Sequence, residues 1–176
     1  ANTAAADAGV VASVATSVLP SSASDTRPLA RGFDTFFGFL GGGHAYLPDA
    51  AGKHAILRDR EPVAEPEYLT DAFAREAVKF LDREHERPFF LYLAFNAVHT
   101  PLEADDARLA RFAAIADPRR RTYAAMLTAM DDAIGRVRGV LADRGLERDT
   151  LVFFCSDNGG PTMAGTKING SINAPL

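Results

Sequence analysis

Two apolar runs limit most strongly what this chain can fold into. The first is "FFLYLAF" at residues 89–95, and the second is "TLVFFCS" at residues 150–156. A nearly continuous apolar run of this length is typical of a strand covered on both faces, whereas a half-exposed strand alternates apolar and polar residues. Both runs are therefore predicted to be strands in the interior of a layered domain.

Helical periodicity precedes the first run. From Tyr68 onward, apolar residues recur at steps of three and four, which predicts an amphipathic helix with Thr70 or Asp71 as its N-cap. Pro88 is predicted to end this helix, because proline cannot donate a backbone hydrogen bond and disfavours helix in the residue before it.

Two further helices are predicted between the runs. They are expected over residues 103–116 and 118–143, and Gly145 is a suitable stop for the second of them. The resulting order of helix, strand, helix, helix and strand favours an α/β domain with mostly parallel strands covered by helices.

The remaining segments carry weaker signals. Residues 1–27 are mostly small side chains and valine without clear periodicity, and they are predicted to be poorly ordered. Order is expected from residue 28, because residues 31–48 concentrate aromatic side chains around three consecutive glycines. Residues 49–66 are rich in proline, alanine and charge, so a surface excursion such as a short hairpin is predicted.

Composition argues against several classes of function. The formal net charge is −4 with acidic and basic residues interleaved, so no nucleic-acid face is expected, and the basic run at 119–121 is interpreted as a solvated helix start. No apolar stretch approaches the ~20 residues that a membrane span needs. Cys155 is the only cysteine, which excludes an internal disulfide, and its place in the second run predicts a buried, unreactive thiol.

The ends of the predicted strands indicate where ligands bind. In open α/β sheets, ligands bind beyond the carboxyl ends of the strands. His99 follows the first run and Asp157 and Asn158 follow the second, so we expect these three residues to converge at one edge. Carboxylate and amide oxygens suit Ca²⁺ or Mg²⁺, but Asp-Asn-Gly-Gly is equally an ordinary turn composition, and two residues do not fill a calcium shell of about 6–8 oxygens.

The four histidines differ in their surroundings. His99 is a candidate proton donor or oxyanion contact, because a histidine side chain titrates near neutral pH, although it could also simply hydrogen-bond within its loop. His44 follows the glycines and could line a pocket or serve a structural role. His54 and His85 lie among charged residues and are predicted to be solvated.

Two adjacent carboxylates on the third helix do not form an acid–base pair. Helical geometry separates Asp131 from Asp132, and Asp132 lies four residues before Arg136. We expect Asp132 to pair with Arg136 at the surface, and Asp131 to brace a neighbouring loop.

Four segments in order resemble one known family. "RGFDTFFGFLGGGHAYLP", "PFFLYLAFNAVHTPLEA", "YAAMLTAMDDAIGRV" and "FCSDNGG" are similar to the sulfatase family of the alkaline-phosphatase superfamily, over about residues 28–176. The resemblance implies an internal fragment of the catalytic domain, with a partial α/β/α sandwich of the alkaline-phosphatase-like type.

The resemblance also implies a chemistry. In sulfatases, a cysteine or serine of a Cys/Ser-x-Pro-x-Arg motif matures to formylglycine, whose hydrated aldehyde attacks the sulfate ester, while Ca²⁺ neutralises sulfate charge. By position, Asp157 and Asn158 match the second pair of calcium ligands, and His99 matches the histidine that contacts the sulfate or leaving-group oxygen. A sulfated small molecule or glycan as substrate and a periplasmic or extracellular location are further implications.

The chain departs from the family pattern at the nucleophile. No Cys/Ser-x-Pro-x-Arg motif occurs in the 176 residues, and Cys155 is followed by Ser-Asp-Asn instead. The N-terminal Asp-Asp calcium pair and the Gly-Lys-Trp-His segment before "RGFD" are also absent. We therefore expect half of an active site that is inactive by itself. Alternatives are a phosphodiesterase or phosphonate monoester hydrolase of the same superfamily, or a non-catalytic anion-binding remnant.

Overall fold

The computed structural model describes residues 7–12, 27–48, 55–83, 85 and 88–160, with only the backbone described for residues 7–12. Five strands occur in this part of the chain: β1 (Asp7–Ala12), β2 (Thr35–Gly38), β3 (Ile56–Arg58), β4 (Glu61–Val63) and β5 (Phe89–Ala94). Three α-helices accompany them: α1 (Leu69–Leu81), α2 (Asp106–Ala110) and α3 (Pro118–Asp143). Short 3₁₀ turns occupy Pro28–Arg31 and Glu147–Asp149.

The strands form one mixed sheet in the order β4-β3-β2-β1-β5. Strand β1 pairs in parallel with β2 on one side and with β5 on the other, whereas β2, β3 and β4 pair antiparallel. The carboxyl ends of β1, β2 and β5 therefore lie at the same edge of the sheet. This arrangement confirms the predicted α/β class, and the β3–β4 pair confirms the predicted hairpin.

Strand β1 lies inside the segment for which the sequence predicted poor order. Over Asp7–Ala12 the structure differs from that prediction, because pairing to a strand on each side supplies backbone hydrogen bonds that local sequence does not reveal. The other residues of segment 1–26 lie outside the described residues, as do residues 49–54.

Helix α1 confirms the first predicted helix but neither its predicted cap nor its predicted end, because it ends at Leu81 and does not extend to Pro88. Tyr68 occupies the N-cap position without a side-chain cap hydrogen bond, so the prediction of Thr70 or Asp71 is wrong. The helix begins at Leu69, where its buried face also begins, so both residues lie inside the helix. Asp71 instead pairs with Arg108 at 2.7 Å, and its carboxylate lies in the first turn, where the helix dipole favours negative charge.

Strand β5 confirms the first predicted strand, but it is not covered on both faces. Leu91 and Leu93 pack against the core that α1 completes, whereas Phe90 and Tyr92 on the opposite face are 53% and 48% exposed. Within the described residues, the helices α1 and α3 meet the same side of the sheet, as Val137 of α3 packs against that same core. The expectation of two covered faces is therefore wrong here.

Helix α2 is much shorter than the predicted helix over residues 103–116. It begins at the N-cap Asp105, whose side chain accepts a hydrogen bond from the Arg108 backbone, and ends at Ala110. The chain then continues in turns, where the Arg121 guanidinium donates to the carbonyl oxygen of Ile115 at 2.7 Å. After Ala110 the N–H groups of Phe112 and Ala113 donate to carbonyl oxygens three residues back, so the bonding pattern of an α-helix is not continued.

Helix α3 confirms the third predicted helix over its whole length. Its N-cap Asp117 accepts a hydrogen bond from the Arg120 backbone, and Pro118 occupies the first turn. Gly145 has φ +69°, a left-handed conformation that ends the helix as predicted. No helix in the described ranges is long and apolar enough to cross a membrane.

The second predicted strand is absent from the described residues. Residues 150–160 form no strand, and the side chains of Leu151, Val152, Phe153 and Phe154 are 60–85% exposed. An apolar run becomes a strand only where another strand pairs with it, and among the strands that the structure describes, β5 lies at one edge of the sheet and pairs only with β1. Cys155 is exposed for the same reason, so the predicted buried thiol is also wrong.

Candidate functional site

The loops that follow β2 and β5 meet at the carboxyl edge of the sheet. A Cβ atom added to Gly43 would lie 3.9 Å from both Nδ1 of His99 and the carbonyl oxygen of Thr100, which is van der Waals contact. The side-chain amide of Asn96 donates to the His44 carbonyl at 3.3 Å. Gly41 has φ +153°, a backbone conformation that residues with a side chain rarely adopt. The loop after β2, called the glycine loop below, therefore follows a path that requires glycine at this position.

His99 lies on the surface of this site. Its backbone N–H donates to the carbonyl oxygen of Asn96 at 2.8 Å, and its ring Nδ1 lies 2.7 Å from the carbonyl oxygen of Thr100. Because a carbonyl only accepts, Nδ1 must carry the hydrogen of this bond. The Nε2 atom then accepts a hydrogen bond when the ring is neutral and donates one when it is protonated.

His44 is held in place by its neighbours. Its ring lies 4.9 Å from the ring of Phe39, and its Nδ1 lies 2.7 Å from the carbonyl oxygen of Ala45. The residue is half-buried beside the loop that carries His99. These contacts agree with the structural role that the sequence left open, and the role of His44 in lining a pocket stays a prediction.

Two supporting residues were missed by sequence reasoning. The hydroxyl of the buried Tyr46 lies 2.6 Å from the Asn96 carbonyl oxygen and 2.8 Å from that of His99. The carboxylate of Glu103 accepts from the Tyr46 backbone N–H at 2.7 Å. An aromatic residue three positions after the last glycine and an acid four positions after His99 are the sequence signals that could have identified them.

Among the residues that the structure describes, the second predicted part of the site makes only local hydrogen bonds. Asp157 and Asn158 are exposed; the Asn158 amide donates to the carbonyl oxygen of Gly159 at 2.7 Å, and the Ser156 hydroxyl donates to the Asn158 carbonyl oxygen at 2.6 Å. Within residues 88–160, no hydrogen bond or ion pair joins them to His99. Their convergence with His99 therefore stays a prediction.

The side-chain oxygens that this segment offers are of the type that calcium binds. The carboxylate of Asp157 and the amide oxygen of Asn158 are hard oxygen ligands, and the Asn158 nitrogen, not its oxygen, is engaged with Gly159. In the described part of the chain, no group of three or more histidine, cysteine or acidic side chains is placed to hold a metal. The two residues would therefore contribute part of a calcium shell of about 6–8 oxygens.

Comparisons with known proteins agree on one family. The Sulfatase family model matches residues 5–174. The chain is 34% identical over 151 residues to mouse (Mus musculus) arylsulfatase J, covering 80% of this chain and 25% of that protein. It is 32% identical over 165 residues to pig (Sus scrofa) N-acetylgalactosamine-6-sulfatase, covering 85% of this chain and 30% of that protein.

A solved structure gives the same result. The crystal structure of Ps i-CgsB in complex with k-i-k-neocarrahexaose superposes with a TM-score of 0.68 at 34% sequence identity. The match covers 80% of this chain and 34% of that chain. The chain thus spans about a quarter to a third of the length of these three proteins.

Proposed function

Since the chain belongs to the sulfatase family, we propose that it supplies part of an active site that hydrolyses sulfate esters. The observation that carries this proposal is that the glycine loop and the loop of His99 meet at the carboxyl edge of three parallel strands, where the Asn96 amide donates to the His44 carbonyl. This edge is where α/β sheets bind ligands. The contact joins two of the four segments that resemble sulfatases.

His99 is proposed as the residue that contacts the sulfate group. With Nδ1 engaged by the Thr100 carbonyl, Nε2 is the ring atom that can meet a ligand. A protonated Nε2 donates a hydrogen bond to a sulfate oxygen, or a proton to the leaving-group oxygen, which is general-acid catalysis. His44, whose ring is held by Phe39, is proposed to border the same space.

Asp157 and Asn158 are proposed to contribute to a calcium site. When bound there, Ca²⁺ offsets the negative charge of the sulfate group. The family generally uses a formylglycine nucleophile as well, and its motif is absent from the 176 residues. Because covalent catalysis requires a nucleophile, we infer that these residues by themselves bind the ligand without turning it over.

The relatives support a sulfated sugar as the substrate class. One relative is named as an N-acetylgalactosamine-6-sulfatase, and the solved neighbour holds k-i-k-neocarrahexaose. We therefore propose a sulfated glycan or a sulfated small molecule as substrate, and a periplasmic or extracellular location, where such substrates are found.

Calorimetric titration of inorganic sulfate into the 176-residue chain, with and without Ca²⁺, tests the binding roles. His99→Ala is expected to weaken sulfate binding roughly tenfold, because it removes one charge-assisted hydrogen bond. His85→Ala is the matched control, since the His85 ring lies 5.0 Å from the ring of Phe89, at the opposite end of β5. Asp157→Ala is expected to abolish the dependence on Ca²⁺.

The outcomes separate the parts of the proposal. Equal sulfate affinity in His99→Ala and His85→Ala would reject the role of His99. Tighter binding of a phosphate diester than of sulfate would favour a phosphodiesterase. Turnover of p-nitrophenyl sulfate by the wild-type chain, abolished by His99→Ala, would overturn the inference that the chain is inactive alone.

A further inference from the structure

Tyr46 connects the two loops of the candidate site. Its side chain is only 1% exposed and stacks on Tyr68, with ring centroids 5.8 Å apart. The hydroxyl is within hydrogen-bond distance of the carbonyl oxygens of Asn96 and His99. One hydroxyl proton is thus shared between two carbonyls of the same loop.

The backbone of Tyr46 is fixed as well. Its N–H donates to the Glu103 carboxylate at 2.7 Å, and its carbonyl accepts from the Leu69 N–H at 2.9 Å. Glu103 is held in turn, because the Tyr68 hydroxyl donates to its carbonyl oxygen at 2.8 Å. The tyrosine therefore cannot shift without breaking contacts to the start of α1 and to the segment before α2.

The side chain of His99 has no comparable support of its own. It is exposed, and its ring contacts the carbonyl of the next residue. Its direction therefore follows from the backbone of residues 96–99, which turns where the His99 N–H meets the Asn96 carbonyl. The Tyr46 hydroxyl binds at this same carbonyl.

We propose that Tyr46 is a positioning residue for His99: its hydroxyl fixes the loop that presents the imidazole to the sulfate group. The importance of this for ligand binding rests on the proposed function, whereas the positioning itself does not. Burial, together with nearby Tyr68 and Glu103, raises the pKa of Tyr46, so the hydroxyl keeps its proton and remains a donor at neutral pH.

Amide hydrogen exchange on the 176-residue chain, without ligand, tests the positioning. Tyr46→Phe keeps the buried ring and removes the hydroxyl, and exchange in residues 96–100 is expected to accelerate roughly fivefold to tenfold. Thr128→Val is the matched control, because it keeps the side-chain shape and removes a half-buried hydroxyl that donates to the Ala124 carbonyl oxygen within α3 rather than to this loop. It is expected to leave exchange in residues 96–100 within about twofold of wild type.

Thermal unfolding of both variants separates positioning from general stability. Removing a hydroxyl with a purely structural role would accelerate exchange everywhere in proportion to the loss of stability. Equal acceleration at residues 96–100 in both variants would therefore overturn the proposal. No acceleration in Tyr46→Phe would overturn it too. A sulfate titration completes the test. Weaker binding in Tyr46→Phe alone supports the link to function. If the wild-type chain does not bind sulfate, the proposed function is rejected, and hydrogen exchange still decides the role of Tyr46.

Discussion

The loop that carries His99 and the segment that carries Asp157 follow similar apolar runs, yet they differ in structure. The first run pairs along six residues with β1, and its loop is bonded to Tyr46, fifty residues away in sequence. The second run pairs with no strand among the described residues, and Asn158 bonds only to its neighbours. Apolar sequence therefore predicts the capacity to form a strand, and the pairing partner decides whether one forms.

The same difference applies to the two halves of the site. A loop anchored by long-range hydrogen bonds holds its functional side chain in a defined place before a ligand arrives. A segment with only local bonds must be ordered when the ligand binds, which costs binding free energy. We therefore expect the proposed sulfate contact at His99 to be preorganised and the proposed calcium contact at Asp157 to require ordering when the ion binds.

The largest expected effect contrasts two phenylalanines. Phe73 is fully buried between Phe37 and Phe95, whereas Phe153 is 85% exposed. Phe73→Ala is expected to lower the free energy of unfolding by about 3–5 kcal/mol through the cavity that it leaves, and Phe153→Ala to change it by less than about 0.5 kcal/mol. Urea unfolding followed by circular dichroism measures both; a comparable loss in Phe153→Ala would show that residues 150–156 are packed.

The next largest effect concerns Glu76, a buried carboxylate on α1. Glu76 is 5% exposed and lies 2.8 Å from Arg58, 2.9 Å from Arg75 and 3.0 Å from Lys79. Burial alone would raise the pKa of Glu76, but hydrogen bonds from these three cations outweigh it and lower the pKa from 4.5 to about 2. The lowered pKa corresponds to about 3 kcal/mol of stability.

This stability depends on pH in a definite direction. Because the folded-state pKa is lowered, the contribution is complete above pH 4.5 and is lost as pH falls through about 2. Glu76→Gln is therefore expected to be less stable than wild type at neutral pH, with a difference that shrinks over this window. Asp157→Asn is the control from the exposed segment. Parallel stability curves for Glu76→Gln and wild type between pH 7 and 2 would contradict the expectation.

Sequence predicted the elements whose signals are local. Helix α3 was predicted over its full length, because its apolar periodicity and the stop at Gly145 lie in the sequence itself. Strand β1 was missed, since its pairing with β2 and β5 depends on residues far away in the chain. The absence of a strand at 150–156 has the same origin, because strand formation depends on a partner.

The partners in ion pairs also depend on residues far away in the chain. The predicted pair of Asp132 with Arg136 does not form; Asp132 meets Arg111 at 3.1 Å, and Arg136 meets Asp71 of α1 at 3.0 Å. Arginine side chains are long enough to reach across packed helices, so spacing along one helix does not decide the partner. In the candidate site, the strand-end rule singled out the loop after β5, which carries His99, but the support from Tyr46 required the folded structure.

The smallest expected effect concerns Cys155, which lies in the exposed second apolar run and tests whether that run is unpaired. Cys155→Ser is expected to change the free energy of unfolding by less than about 0.5 kcal/mol, because the thiol is exposed. In the native wild-type chain, Ellman's reagent is expected to label Cys155 as fast as in the denatured chain.

Met126→Cys in the Cys155→Ser background provides the buried control for the same labelling measurement. Met126 is fully buried on α3, so its thiol is expected to react at least roughly a hundredfold more slowly, since labelling requires local opening. Fast labelling at residue 126 would contradict the packing of α3. Slow labelling of Cys155 would mean that residues 150–156 are paired in solution, and Asp157 and Asn158 would then stand at the end of a strand, as His99 does.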